Sequence, residues 1–290
     1  MGDVKTKLIQ TIKSSGLALK WKSAKYVPVG FDHDVIIINN TRIFRFPKNS
    51  YSKNLLQDEI ALLKILSKKI SVNIPDYDFI AKNFSYASYP IITGKGLTVK
   101  TYNNLTNNQK NILATQIANF LTELHSVPLT KIKNLNIRER FAEIELNQLH
   151  KRAKKYIYSR LSLKETMIFD SFFSELSSIL KQTRKKVLVH GDFSGDHIII
   201  NKKNKLSGVI DFTDRAIHNP AFDFVFLWEF GLPFVQKVIT HYGRDKNDFL
   251  LCSRVYAEAN AIWNMIEALK KGKLNYDAWY RRFKKINQSS

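Results

Sequence analysis

The segment 187–201, VLVHGDFSGDHIIIN, limits what this chain can become more than any other. An apolar run enters a polar turn that carries His190, Asp192, Asp196 and His197, and a second apolar run leaves it. Titratable side chains between two runs that demand burial must sit at the rim of a core, on a loop that strands hold in place. The pattern then continues: HIII (197–200) goes out, NKKNK turns, and LSGVID (206–211) returns. Apolar, β-branched runs on either side of a polar turn predict a hairpin. An antiparallel return brings Asp211 beside His197 at the open end of that ribbon. Asp192, five residues before His197, feeds the same end. Asp192, His197 and Asp211 are therefore predicted to cluster.

The rest of the chain divides around a short punctuated stretch, TGKGLT, at 93–98. Before it, YVPVG, DVIII and RIFRF, with an Asn39-Asn40 turn, predict short antiparallel strands. Leu55, Leu56, Ile60, Leu63 and Leu66 recur at helical spacing, and IPDYDFIA and SYASYPIIT read as further strands. After it, 107–125 carries one apolar stripe, 138–183 reads as two long helices, and the chain beyond 222 is helical. The reading is an α+β, two-lobed architecture. A small β-rich lobe spans 1–93 and a larger, mainly helical lobe spans 94–290, with a helical insertion at about 135–185. With 290 residues the chain can bury a core in each lobe.

Two carboxylates held close together repel unless a cation neutralises them. Hard Mg²⁺ with oxygen ligands is the economical partner. One acid would then hold metal while the other orients a substrate hydroxyl, the division of labour of phosphoryl transfer. The single cysteine, Cys252, excludes an internal disulfide and fits a reducing cytoplasm. No apolar run approaches the ~20 residues of a membrane span, so no membrane partner is expected. The net charge of +21 comes from lysines scattered in short pairs. It reads as solvated surface, and a nucleic-acid partner is not expected.

His190-Gly191-Asp192, the ribbon, and then Ile210-Asp211-Phe212 resemble the kinase-like aminoglycoside phosphotransferases. The order is similar to the protein-kinase sequence H-R-D-x-x-x-x-N followed by D-F-G. DFSGDH at 192–197 resembles most closely the 2''-phosphotransferase branch of that family. RIFRFPK, FLTELHS, GVIDFTDRAIHNPAFDF and DAWY are similar to its other segments. The resemblance implies a two-lobed protein-kinase-like fold, Mg²⁺, and ATP or GTP as phosphate donor. It implies Asp192 as the catalytic base and Asp211 as a metal ligand, with His197 in the second metal position. His190 shapes the loop and Asp223 braces it. Arg45 stands where kinases have lysine and would hold a phosphate, paired with Glu59. Loop 29–35, with Gly30, would cover the phosphates, and Ile92, Thr93 and Gly94 would meet the purine.

The acceptor implied is an aminoglycoside, a polycation that calls for acids. Asp214, Glu229, Glu258 and Glu267 are the candidates after Asp211. Choline or a sugar is the alternative acceptor. A nucleotide- or nucleic-acid-binding pseudo-kinase is the alternative of another class. The remaining residues read structurally: Asp196 as a turn residue, His125 as a helix end, and Trp228, Trp263 and Trp279 as core. A monomer is expected.

Overall fold

The computed structural model describes residues 2–15, 17, 21–27, 32–140, 142–182, 185–243, 246–272 and 274–288. The first part is a five-stranded antiparallel sheet in the order β1-β2-β3-β5-β4. Its strands are β1 (Ala24–Val27), β2 (His33–Ile38), β3 (Arg42–Pro47), β4 (Phe79–Ile80) and β5 (Ala87–Pro90). Side chains alternate across a strand, and β3 uses the alternation. Phe44 and Phe46 join Ile36, Ile38 and Tyr86 in one buried cluster. Arg45, between them, is turned to the opposite face, where Glu59 meets it. That outer cluster is closed by Ile12 of a helix the sequence reading did not contain, α1 (Gly2–Lys13). The inner face packs on α2 (Ser50–Leu66), capped at Asn49, whose side chain accepts the Ser52 N–H at 2.9 Å.

The second part is mostly helical. It contains α3 (Val99–Asn103), α4 (Asn107–His125), α5 (Ala142–Tyr156), α6 (Leu163–Gln182), α7 (Leu232–Tyr242), α8 (Lys246–Lys271) and α9 (Tyr276–Asn287). Thr106 and Gln109 form a reciprocal capping box at the start of α4. The predicted stripe of that helix is buried at Leu113, Ile117, Phe120, Leu121 and Leu124. Among the described residues no helix is long and apolar enough to cross a membrane.

Five short strands aim the loops. β6 (Lys95–Gly96), β8 (Ile198–Ile200) and β9 (Leu206–Val209) form one small sheet, and β7 (Val187–Val189) pairs with β10 (Ala216–His218) in another. The hairpin register sets Ile198 opposite Val209 and Ile200 opposite Leu206, with an irregularity at Ile199/Ile200. The loop from β7 to β8 and the loop from β9 to β10 therefore open at the same end. Trp228 is buried as expected, but Trp263 is not core. It is 46% exposed, and the Arg152 guanidinium lies 4.1 Å from its ring centroid.

Three helices meet on one buried charge network. Arg254 of α8 donates to Glu258 one turn on, at 3.1 and 3.3 Å, and to Glu175 of α6 at 2.6 Å. Asn287, at the end of α9, donates to Glu258 at 3.0 Å. Burial pushes the Glu258 carboxyl up to about 7, against the pull of Arg254 and Asn287. A carboxyl raised on folding stabilises fully below its unfolded value and loses that contribution as pH climbs through its folded value. Urea denaturation should therefore show stability falling between about pH 4.5 and pH 7, and Glu258→Gln should flatten that decline. An equally steep decline in the variant would remove Glu258 as its source.

Candidate active site

The loop 190–197 is held by a carboxylate that never meets water. Asp223, 1% exposed, accepts the backbone N–H of His190 at 2.8 Å and that of Gly191 at 2.9 Å. His125 Nε2, from the end of α4, donates to it at 2.9 Å, while Tyr242 donates to His125 Nδ1 at 2.7 Å. Burial alone disfavours the charge of Asp223. The hydrogen bond from His125, the neighbouring imidazoles and the Gly191 N–H outweigh burial and hold its carboxyl below the ordinary carboxylate range. Gly191 has φ +87°, and a Cβ there would lie 1.9 Å from the Asp214 carbonyl oxygen. No side chain fits, so the chain can cross there only as glycine.

His190 is fully buried and joins the two loops. Its Nε2–H donates to the Ile210 carbonyl at 3.1 Å, and Ile210 N–H donates to the His197 carbonyl at 3.1 Å. Burial holds the imidazole down to about 4, so it is neutral at physiological pH. These bonds bring Asp192 and Asp211 to either side of His197. His197 Nδ1 is 3.5 Å from Asp192 Oδ2, and its Nε2 is 3.7 Å from Asp211 Oδ2. Nδ1 donates to the Asp192 carbonyl at 2.7 Å. In the neutral ring, Nε2 then carries the free lone pair on the Asp211 side.

The two carboxyls are shifted in opposite directions. Burial first, then the charges of Asp214, Asp211 and Asp196, raise the Asp192 carboxyl to about 6, against the pull of His197. At Asp211 burial raises the carboxyl too, but Arg45, the Thr213 hydroxyl and the neighbouring imidazoles overcome it and bring it to about 2. An acid that stays ionised beside one that gains and loses its proton near 6 is a pairing that general-base chemistry can use. Asp211 also sits at φ +63°, a conformation that non-glycine residues adopt at a cost and that concentrates at functional sites.

Among the described residues no three His, Cys, Asp or Glu side chains converge as a ready-made metal cage. Mg²⁺ takes one or two carboxylates and fills its shell with water and substrate phosphates. Asp211 can supply one such carboxylate oxygen, while the His197 imidazole 3.7 Å from it is a nitrogen donor that suits this hard ion less well.

Arg45 Nη1 donates to Glu59 at 2.6 Å and to Tyr77 at 3.0 Å. Its Nη2 donates to Thr213 Oγ1 at 2.9 Å and to His33 Nδ1 at 3.2 Å. His33 is buried, and burial followed by the Arg45 charge brings its imidazole down to about 3. His33, Tyr77, Thr213 and His125 are absent from the sequence-level site. Of these only Thr213 carried a signal, a hydroxyl two residues past an acid. Gly30 lies outside the described residues. In the segment between the lobes, the Ser207 hydroxyl donates to the Thr93 carbonyl at 2.7 Å. Gly94 has φ +150° and crosses the ribbon so closely that a Cβ would stand 2.5 Å from the Ile200 oxygen. Ile92 packs against Gly208.

The four acids proposed to receive an acceptor separate. Asp214 is exposed beside the cluster, and Asp196 is an exposed loop residue. The others are not free. Glu229 is bonded to Arg282 of α9, Glu267 to Arg152 at 2.5 Å and to Lys271 at 2.7 Å, and Glu258 is fully buried in the Arg254 network. Glu258 as placed therefore offers no surface to a ligand, because burial and two donors consume it.

A model described as a phosphotransferase enzyme family matches residues 23–258. The uncharacterized protein YcbJ of Bacillus subtilis (strain 168) is 21% identical over 257 residues, 82% of this chain and 80% of that protein. A mutant aminoglycoside 2'-phosphotransferase-IIIa in complex with GDP superposes with a TM-score of 0.84 at 24% identity, covering 98% of this chain and 97% of the other. A macrolide 2'-phosphotransferase type I superposes with a TM-score of 0.69 at 17% identity, covering 97% and 96%.

Asp223→Ala strips three donors of their acceptor. It should cost on the order of 3–5 kcal/mol in denaturant unfolding, the range for breaking a buried charged pair. Loss below 1 kcal/mol would mean that water substitutes for the carboxylate.

Proposed function

This chain belongs to the phosphotransferase enzyme family, and from that premise we propose how it works and on what. It is a kinase-like transferase. In our reading it moves the terminal phosphate of ATP or GTP onto a hydroxyl of a small acceptor. One observation carries this: Asp192 and Asp211 flank His197 at 3.5 and 3.7 Å, on loops that open at the same end of the ribbon. Asp192 accepts the hydrogen bond of the acceptor hydroxyl, orients its oxygen toward the phosphorus and takes its proton. The new O–P bond forms as the bond to the bridging oxygen breaks, and nucleoside diphosphate leaves. Mg²⁺, when bound, supplies charge neutralisation on the phosphates. Asp211 and His197 are the side chains that would hold it.

The first acceptor to test is an aminoglycoside, the class named for the GDP-bound structural neighbour. A second reading is favoured by the pairing of Glu229, Glu258 and Glu267 with Arg282, Arg254 and Arg152. A chain of net charge +21 that neutralises its own acids suits an acceptor with few amines, such as a macrolide or a sugar.

Asp192→Ala should lower kcat by roughly 10²–10⁴-fold with the fold intact by circular dichroism. Wild-type kcat/KM should rise with pH through a limb near 6, where Asp192 ionises, and fall below it. Retained activity in the variant would sink the base assignment. Nucleoside diphosphate release should be followed with ATP and with GTP over aminoglycosides, a macrolide, choline and simple sugars. Stimulation by one class identifies the acceptor. Silence across all, with salt-sensitive nucleic-acid binding, would overturn transfer in favour of a binding protein.

A further inference from the structure

Thr213 holds a place that neither the motif nor the general-base chemistry requires. Its Oγ1 lies 2.6 Å from Asp211 Oδ1, 2.9 Å from Arg45 Nη2 and 3.3 Å from Glu59 Oε2. A hydroxyl has one proton to give and two lone pairs. The shortest of the three contacts ends on the ionised carboxylate of Asp211, so the proton goes there, and the Arg45 N–H fills a lone pair. Arg45 itself stands 3.5 Å from Asp211 Oδ1, at the edge of hydrogen-bond reach. The guanidinium therefore acts on Asp211 in two ways, by its charge across 3.5 Å and by a hydrogen bond passed on through the threonine, in a chain of bonds that polarise one another.

The rest of the guanidinium is already engaged. Its donors go to Glu59, Tyr77 and His33 as well as Thr213, and its side chain is 7% exposed. We propose that Thr213 is a positioning residue. It carries the hold of Arg45, itself anchored by Glu59, on to Asp211 Oδ1, and so presents Asp211 Oδ2, beside His197 Nε2, to the divalent cation that arrives with the nucleotide. The proposal rests on Asp211 being the metal-binding acid. It gives the buried Arg45–Glu59 pair a task other than direct contact with phosphate. It also gives a reason for the left-handed Asp211 backbone: at φ +63° that residue needs bonds from outside to stay put. A β-branched side chain with few rotamers suits the post.

The test is Mn²⁺ binding, read by electron paramagnetic resonance with GDP or ADP at saturation, so that no turnover is involved. Thr213→Val keeps shape and removes the hydroxyl. It should weaken Mn²⁺ by roughly 10–100-fold, the usual effect of losing a partner that orients a ligand. Nucleotide affinity without metal should fall by a smaller factor than Mn²⁺ affinity does. Thr213→Ser, which restores the hydroxyl, should recover most of the Mn²⁺ affinity. Thr213→Ala carries the same expectation as valine should the valine variant fail to fold. Wild-type Mn²⁺ affinity in the folded hydroxyl-free variant overturns the proposal, as does equal weakening in the serine variant. Asp211→Asn separates this from the underlying reading. If it binds Mn²⁺ like wild type, the metal assignment itself is wrong; if it fails while Thr213→Val does not, only the role of Thr213 falls.

Discussion

A carboxylate sealed from water has to be given its hydrogen bonds by the protein, and at Asp223 that demand organises the loop that carries Asp192 and His197. The three groups that answer it come from far apart in the chain: two successive backbone N–H groups at 190 and 191, and the imidazole that ends α4. Meeting them fixes the loop against the large core. Phe193, two residues on, stacks on Phe120 of α4 with ring centroids 5.4 Å apart. Phe212 lies 4.6 Å from the His190 ring. Polar bonds set the path of the loop, and aromatic packing beneath keeps it there. Asp192 and Asp211, beside His197, inherit their precision from an acid that stays buried.

What the sequence made legible followed from periodicity and local order. The ribbon was readable because apolar β-branched runs flank a polar turn, and an antiparallel return has one outcome for Asp192, His197 and Asp211. Pairing across long separations was not readable. Glu267 and Arg152 are 115 residues apart, Glu229 and Arg282 are 53 apart, and His125 reaches Asp223 over 98. Nothing in a glutamate's neighbours along the chain says that an arginine waits for it across a helix bundle. So three acids that looked available for a ligand are committed to the protein, and a histidine that looked like a helix end carries a central bond. β6 escaped notice because two residues, Lys95 and Gly96, carry no pattern of their own.

The distribution of charge is uneven in a way that bears on ligand choice. The chain has 46 basic and 25 acidic side chains, yet Asp192, Asp196, Asp211 and Asp214 fall within one stretch. A strongly positive body attracts anions and disfavours polycations at long range. The local acids then compete with that field only where the chemistry happens. Selectivity for the acceptor is thereby divided between a global term and a few neighbouring side chains.

The β8–β9 ribbon has two ends, and only one is committed to the acids. At the other, Asn201 accepts the N–H groups of Lys203 and Lys205, and Asn204, half-buried, turns the chain at φ +58°. Lengthening or recolouring that tip leaves both acids where they are, since their spacing is fixed by pairing at the opposite end. A peptide epitope or a fluorophore grafted at the tip would ride on the ribbon without displacing Asp192 or Asp211.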